Sequence, residues 1–181
     1  MMRNSGFTLI EVVVVAGITV LITSFLIANF SQSRLGLDQA MNVVVADIRD
    51  AQSKAVTSAQ FNGSLRCGYG IHYLSATSYR IFTSAPASGA CATDDRKYNS
   101  PGDLTVRDVA IDTSVNFSLA FTDIFFEPPD PITYIDGKTT GLSTILILRK
   151  GSIDCTPVND CRVVCVYPTG RIDTGIGVTC P

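Results

Sequence analysis

The chain has 181 residues, of which 46% are hydrophobic and 17% charged, and its 14 Lys and Arg residues are balanced by 16 Asp and Glu residues. This length suits one domain, or one domain with an appendage, and can bury a hydrophobic core. The net charge of −2 argues against a polycationic protein that binds nucleic acid. The single histidine, His72, excludes a His-rich zinc site.

The N-terminus combines a polar leader with a long apolar run. Residues 1–6 carry one positive charge, at Arg3, and end in Gly6, whereas residues 7–30 contain only one charged residue, Glu11. As a helix, this run would extend roughly 36 Å at about 1.5 Å per residue, enough to cross a hydrocarbon core of about 30 Å. It is longer than the apolar region of a signal peptide, which has about 7–15 residues. The sequence therefore predicts a transmembrane helix over residues 7–30 that is not a cleaved secretory signal.

Glu11 is the informative residue of this run, because a carboxylate inside an apolar helix is costly unless it is paired. The nearest basic residues in the sequence are Arg3 and Arg34. Cleavage after Gly6 would create an α-ammonium group at Phe7, four residues before the glutamate. In a stack of such helices, the carboxylate of one subunit could meet the ammonium of the next. The alternative is a plain membrane anchor in which Glu11 lies near the lipid headgroups.

The run Gly6-Phe7-Thr8-Leu9-Ile10-Glu11 resembles the cleavage and methylation signature of type IV prepilins and type II secretion pseudopilins, and the match covers residues 1–30. In that family a prepilin peptidase cuts after the glycine and methylates the new N-terminus, while the glutamate aids subunit recruitment and helix register. The resemblance implies that Gly6 is the last leader residue, Phe7 the methylated N-terminus and Glu11 the assembly carboxylate.

The same resemblance implies a location and partners. A pilin waits in the bacterial inner membrane as a single-pass protein with its head in the periplasm, and then enters a pilus or pseudopilus. Its partners are other pilin or pseudopilin subunits, the prepilin peptidase and the inner-membrane assembly platform. Many major pilins have a proline in this helix, but the first proline here is Pro86. We therefore expect a structural or initiating minor subunit, with a tip pilin that binds DNA or a surface in transformation or adhesion as the alternative.

Beyond Phe30 the helical period continues into an amphipathic segment, residues 31–60. Its apolar positions follow spacings of 3 and 4 and form one stripe: Leu37, Met41, Val44, Ile48, Ala51 and Ala55. Four charged residues take other faces: Asp38, Asp47, Asp50 and Lys54. We expect one helix from about Phe7 to Ala59, with Gly36 as its weakest point, and we expect the stripe to dock on the protein's own head.

From about Leu65 the pattern becomes that of short β-strands rich in β-branched and aromatic residues. The predicted strands are Cys67–Leu74, Ser78–Thr83, Leu104–Ile111, Val115–Phe121, Thr144–Arg149, Arg162–Tyr167 and Arg171–Val178. Tyr167–Arg171 is typical of a tight turn, and two long loops are expected at Ser84–Asp103 and Glu127–Leu142. The sequence thus predicts an α+β fold in which the long helix packs on an antiparallel head, residues 61–181, with two sheets.

Three segments of the head resemble the GspH/FimT-type pseudopilins: residues 46–55, 68–71 and 162–171. Some of those proteins are similar to DNA receptors that use a Gly-Arg-x-Arg motif at the tip. Here the stretch is Gly170-Arg171-Ile172-Asp173, so an acid replaces the second arginine. Phosphate contacts are made largely by cations, and the chain beyond Phe30 has 13 basic against 15 acidic residues. Nucleic acid is therefore not an expected partner.

Six cysteines lie beyond the apolar run: Cys67, Cys91, Cys155, Cys161, Cys165 and Cys180. No pair has the C-x-x-C spacing of a zinc knuckle, and an exported head would use them as disulfides. Pairing neighbours in sequence would join Cys165 to Cys180. The turn at Tyr167–Arg171, however, would set Cys180 opposite position 158, nearer Cys155 or Cys161. The prediction is the oxidised state, with the pairing left open.

No catalytic constellation is present in the sequence. His72 lies in an alternating strand, where a surface or packed histidine is the expected role, and Gly141-Leu142-Ser143-Thr144 lacks the G-x-S-x-G elbow. Asp94-Asp95 and Asp130…Asp136 could bind calcium but do not have EF-hand spacing, and solvated loop carboxylates are favoured. We therefore predict no enzyme activity, no cofactor and no metal.

Overall fold

The structure, a computed structural model, describes residues 9–84, 91, 94–130, 132–152, 154–155 and 160–181, without the side chains of residues 26–35. The chain forms two compact units, Met1–Leu35 and Gly36–Pro181. Gly6 and Phe7, the predicted processing residues, lie outside the described residues.

One helix, α1, covers Leu9–Val56, which agrees with the long N-terminal helix that the sequence predicts. It continues through Gly36, the expected weak point. This glycine is buried, and a Cβ atom at its position would lie 2.5 Å from the Ser114 Oγ atom. Glycine is therefore needed here because the turn at residues 112–114 approaches the helix closely, and it does not mark a break.

Among the described residues, eleven strands follow the helix. They are β1 (Gln60–Phe61), β2 (Ser64–Leu65), β3 (Tyr69–Ser75), β4 (Ser78–Thr83), β5 (Leu104–Ala110), β6 (Val115–Phe117), β7 (Ile124–Glu127), β8 (Ile132–Ile135), β9 (Ser143–Arg149), β10 (Cys161–Val166) and β11 (Ile172–Ile176). A five-stranded sheet has the order β5-β4-β3-β7-β8, and a four-stranded sheet has the order β11-β10-β9-β6. All pairs are antiparallel. The predicted α+β fold with two sheets is confirmed, and a separate β1–β2 hairpin is added to it.

The predicted strands differ from the observed ones mainly between residues 115 and 142. The strand expected over Val115–Phe121 ends at Phe117, and the expected loop Glu127–Leu142 contains β8. Strands β7 and β8 pair as a hairpin around a proline-rich connection. The prolines at 128, 129 and 131 indicated a loop, because proline donates no ladder hydrogen bond, but they lie between the two strands and leave both ladders intact.

The helical stripe forms the centre of the head. All its members are buried except Met41, which is half-buried against the same core. The five-stranded sheet faces it with Tyr69, Ile71, Tyr79, Ile81, Ile124, Phe126 and Ile135. The four-stranded sheet contributes Val115, Phe117, Ile145, Ile147, Val164 and Val166. The prediction that the stripe docks on the protein's own head is therefore correct, and each large aliphatic side chain buried there contributes about 1.5–3 kcal/mol.

The helix ends in a hydrogen-bonded cap. The Ala59 N–H donates to the Lys54 carbonyl at 2.9 Å, and the Ser58 N–H donates to the Ala55 carbonyl at 2.9 Å. Ser58 has a φ of 47°. This is the Schellman arrangement, in which the residue after the helix adopts the left-handed conformation and glycine is usual. A serine there is strained, because a Cβ atom disfavours positive φ.

We expect Ser58→Gly to stabilise the protein by about 0.5–1 kcal/mol, since glycine removes that conformational penalty. Urea unfolding of the full chain in mild detergent, followed by near-ultraviolet circular dichroism, measures the change. Thr57→Gly is the control, because its position precedes the left-handed residue and should gain nothing. A lower stability for Ser58→Gly would contradict this account of the cap.

Candidate assembly surface

The first described segment of α1, Leu9–Phe25, presents an apolar surface. Every residue in it is exposed, and eleven are large hydrophobic side chains: Leu9, Ile10, Val12, Val13, Val14, Val15, Ile18, Val20, Leu21, Ile22 and Phe25. Successive residues turn by about 100°, so the four consecutive valines, 12–15, occupy all sides of the helix. An apolar surface on all sides requires apolar surroundings rather than one docking face.

The polar side chains of this segment are arranged to suit such surroundings. The Thr19 hydroxyl bonds to the Val15 and Ala16 carbonyls at 3.0 and 2.9 Å, and the Thr23 hydroxyl bonds to the Thr19 carbonyl at 2.8 Å. The Ser24 hydroxyl reaches the Val20 carbonyl at 2.7 Å. These bonds back to the preceding turn satisfy the hydroxyl donors within the helix itself.

Glu11 lies in the first turns of this segment as an exposed residue. It is the only ionisable side chain between Leu9 and Phe25. Across the described residues, no helix combines the length and apolarity needed to cross a membrane.

The prediction that Asp47 lies on a free face of the helix is wrong, because this residue is buried in the head. Only 6% of it is exposed. Its Oδ2 atom accepts a hydrogen bond from the Tyr79 hydroxyl at 2.5 Å, and its Oδ1 atom pairs with Arg107. Burial, and next the bond to Asp47, raises the pKa of Tyr79, so this hydroxyl stays protonated and donates. Asp47 thereby connects α1 to β4 and β5.

Two further polar contacts connect the helix to the other sheet. The Arg162 Nε atom of β10 lies 2.6 Å from the Asp38 Oδ1 atom, and Arg162 is itself buried. The Gln52 amide donates to the Gly170 carbonyl at 3.3 Å. Polar side chains at Asp38, Asp47 and Gln52 therefore bind α1 to both sheets along the edges of the apolar stripe.

The outer face of the five-stranded sheet is covered by residues 94–103, which we call the strap. The Tyr98 ring lies 5.4 Å from the buried Phe82 ring and 4.5 Å from the His72 ring. The Asp123 carboxylate joins the two elements, with one oxygen 2.7 Å from the His72 Nδ1 atom and the other accepting the Tyr98 N–H at 2.9 Å. His72 is therefore a half-buried packing residue bound to a carboxylate.

Arg96 fixes the start of the strap. Its guanidinium bonds to both oxygens of Glu127 at 3.1 and 3.2 Å and lies over the Tyr134 ring at 4.9 Å. The hydrogen bonds that Arg96 donates to the Glu127 carboxylate raise the pKa of this arginine. The pair is bidentate, and this geometry adds both energy and specificity to charge-assisted hydrogen bonds.

Three disulfides fasten segments onto the sheets: Cys67–Cys91, Cys155–Cys161 and Cys165–Cys180. The predicted oxidised state is confirmed, and the pairing is between neighbours in sequence. The ladder places Cys165 opposite Asp173, but β11 ends at Ile176 and Gly177 has a φ of 101°. The chain turns back there, so Cys180 does not continue the ladder toward position 158.

The remaining candidate sites have local partners. Arg171 pairs with Asp173 at 2.7 Å and lies over the Tyr167 ring at 4.3 Å. In the two candidate calcium loops, Asp95 bonds to Asn99 at 2.6 Å and Asp136 pairs with Lys97 at 2.8 Å. Within the described part of the chain, no three metal-ligating side chains of His, Cys, Asp or Glu come together.

Sequence reasoning missed the polar residues that position the helix and the strap. Tyr79, Arg107 and Asp123 lie 32, 60 and 51 residues from the side chains that they bind. One local signal was available for Asp47. It follows Val44 by three residues and precedes Ala51 by four, so helical geometry places it beside the stripe.

No protein-family model and no curated protein sequence matches the chain. Two solved structures of the type IV minor pilin FimU from Pseudomonas aeruginosa are similar to it. One has 17% sequence identity and a TM-score of 0.47, and the matched region covers 80% of this chain and 92% of the FimU chain. The other has 18% identity and a TM-score of 0.46, over 80% of this chain and 97% of its own.

We expect Asp47→Ala to lower the free energy of unfolding by about 2–3 kcal/mol, because it leaves the buried Tyr79 hydroxyl without its acceptor. Asp50→Ala is the matched control on the same helix. Its partly exposed pair with Lys54, four residues along the helix, is expected to contribute about 0.3–0.5 kcal/mol. Urea unfolding of both full-length variants measures the difference, and equal losses would show that the Asp47 contacts do not hold the helix.

Proposed function

We propose that this protein is a structural or initiating minor subunit of a type IV pilus or a type II secretion pseudopilus, assembled through its N-terminal helix. One observation carries the proposal. The described helix from Leu9 to Phe25 is apolar on every side, has one carboxylate at Glu11, and is joined in sequence to the Gly6-Phe7 junction. An apolar surface on all sides suits both lipid before assembly and neighbouring helices after it.

The proposed route begins in the inner membrane. Residues 7–30, with one charge in the whole run, anchor the chain, and the head lies in the periplasm. A prepilin peptidase removes residues 1–6 and methylates Phe7, and the assembly platform then transfers the subunit into the filament. Three disulfides in the head suit this location, because such bonds persist in oxidising compartments.

In the filament, the Glu11 carboxylate pairs with the N-terminal ammonium of Phe7 in a neighbouring subunit. Burial between helices strengthens this attraction because the local dielectric is low. Breaking one side of a buried ion pair typically costs about 3–5 kcal/mol. The pair therefore favours helices in the correct register over helices that are displaced along the filament axis.

We assign the head a mechanical role and no enzyme activity. The head binds the part of α1 beyond Gly36 through the stripe and through Asp47, and it supplies the outer surface of the filament. Binding of DNA by a tip subunit is the weaker alternative. The one arginine of the turn, Arg171, is neutralised by Asp173 at 2.7 Å, so this turn offers little net positive charge to phosphate.

The first test is the mature N-terminus. Intact-mass measurement of protein taken from the native envelope is expected to show loss of residues 1–6 and the gain of one methyl group. Gly6→Val, which alters the residue before the cut, is expected to leave the leader attached. A mature protein that retains Met1 or Met2 would exclude processing as a prepilin.

The second test concerns Glu11. We expect Glu11→Val to be inserted and cleaved normally but to enter filaments poorly, by a factor of about several hundred, because the Phe7 ammonium loses its partner. Glu11→Asp should be intermediate, since its carboxylate is set back by one methylene. The measurement is the ratio of sheared filament-bound protein to membrane-bound protein for each variant.

Thr23→Val is the matched control for Glu11→Val. It also replaces a polar side chain of the helix by valine, but its hydroxyl bonds within its own helix, so assembly should be unchanged. Equal filament ratios for the wild type and Glu11→Val would remove the assembly role of Glu11 and favour a plain membrane anchor.

A further inference from the structure

The short hairpin after the helix is closed by two residues in left-handed conformations. Strands β1 and β2 pair Phe61 with Ser64, which leaves Asn62 and Gly63 as the turn. Their φ angles are 53° and 73°. Positive φ at both central positions is typical of a type I′ turn, for which Asn-Gly is a preferred sequence. The turn is therefore well matched to its sequence.

The surroundings of this turn are open. Asn62 and Gly63 are both exposed, and a Cβ atom on Gly63 would meet no heavy atom within 4 Å. Because Gly63 has no side chain, nothing shields its backbone nitrogen from the neighbouring Asn62 carboxamide. A two-stranded hairpin is at best marginally stable by itself, so this backbone can open locally and sample other conformations.

A second turn of the same type provides an internal comparison. Asp136 and Gly137 have φ angles of 52° and 72°, but this turn is covered by the strap. A Cβ atom on Gly137 would lie 2.7 Å from the Asp95 carbonyl and 3.0 Å from the Lys97 side chain. Lys97 also pairs with Asp136 and lowers the pKa of that carboxyl, so the carboxyl remains ionised and is a poor electrophile.

From this contrast we infer that Asn62-Gly63 is a site of spontaneous deamidation. Asp136-Gly137, in contrast, is protected from the related reaction, in which an aspartate isomerises to isoaspartate. The Gly63 backbone nitrogen loses its proton and attacks the Asn62 Cγ atom. A C–N bond forms, the bond from Cγ to the side-chain nitrogen breaks, and ammonia leaves. Water then opens the five-membered imide at either carbonyl and yields aspartate or isoaspartate. The only co-reactant is water.

The products change the hairpin in two ways. Isoaspartate routes the backbone through Cβ, which lengthens the two-residue turn that sets the β1–β2 register. Either product adds a carboxylate to the hairpin, which Arg66 directly follows. The Arg66 guanidinium donates to the Phe61 carbonyl at 3.0 and 3.2 Å, so it holds the strand before the turn. The reaction therefore alters the charge and shape of this exposed hairpin.

The experiment is timed incubation of the purified full-length protein in detergent at mildly alkaline pH, with a parallel sample at mildly acidic pH. Tryptic mapping should show the Asn62 peptide becoming heavier by about one mass unit and separating into two isomers, faster at the higher pH. Asn42, in α1, and Asn116, in β6, should keep their amides, and Asp136 should remain a normal aspartate. These residues serve as controls within the same molecule.

Two variants sharpen the test. Asn62→Gln should remove the reaction, because its longer side chain would have to form a six-membered ring. Arg66→Ala should accelerate the reaction, since it frees the strand before the turn. Loss of the amide at Asn62 no faster than at Asn116, or isomerisation of Asp136 at the Asn62 rate, would overturn the inference.

Discussion

Burial of one helical stripe against two sheets is the interaction on which the head depends. Stripe residues such as Val44 and Ile48 are fully buried in one core cluster with residues of both sheets, and the described part of the chain contains no other α-helix to take their place. Because hydrophobic burial has no direction, the stripe alone would let the helix slide or rotate. Asp38 and Asp47 bind specific partners in the two sheets, and Gln52 binds the turn between β10 and β11. These directional contacts select one position.

The outer faces of the sheets impose a second constraint. A sheet with a helix on one side still has apolar residues on the other, here Phe82 and Phe125 in one sheet and Val163 in the other. The strap covers Phe82, whose ring meets the Tyr98 ring edge to face. Disulfides attach the covering segments at Cys91 and Cys180. Cross-links of this kind reduce the entropy of the unfolded chain, which suits segments that have few backbone ladders of their own.

The two parts of α1 differ in how their apolar side chains are distributed around the helix. Between Leu9 and Phe25 the apolar side chains face all directions and the hydroxyls of Thr19 and Thr23 bond within the helix. From Leu37 onward the apolar residues are confined to one stripe, and polar side chains seek partners in the sheets. The proposed function uses this difference, because a subunit needs one segment that accepts many apolar neighbours and one that is committed to its own head.

The amino-acid sequence by itself determined the features that depend on neighbours along the chain: the long helix and its stripe, strand β4 to the residue, and the oxidised cysteines. Only the tertiary structure decided which distant groups meet. Asp47 is buried because Tyr79 and Arg107 contact it from strands that lie 32 and 60 residues away. The spacing of residues along the helix carries no information about such distant partners. The prolines between β7 and β8 indicated a loop and not a hairpin. The partner of Cys180 depended on a reversal of the chain direction at Gly177. Local periodicity reflects the geometry of one element, whereas long-range pairing is set by how the elements pack.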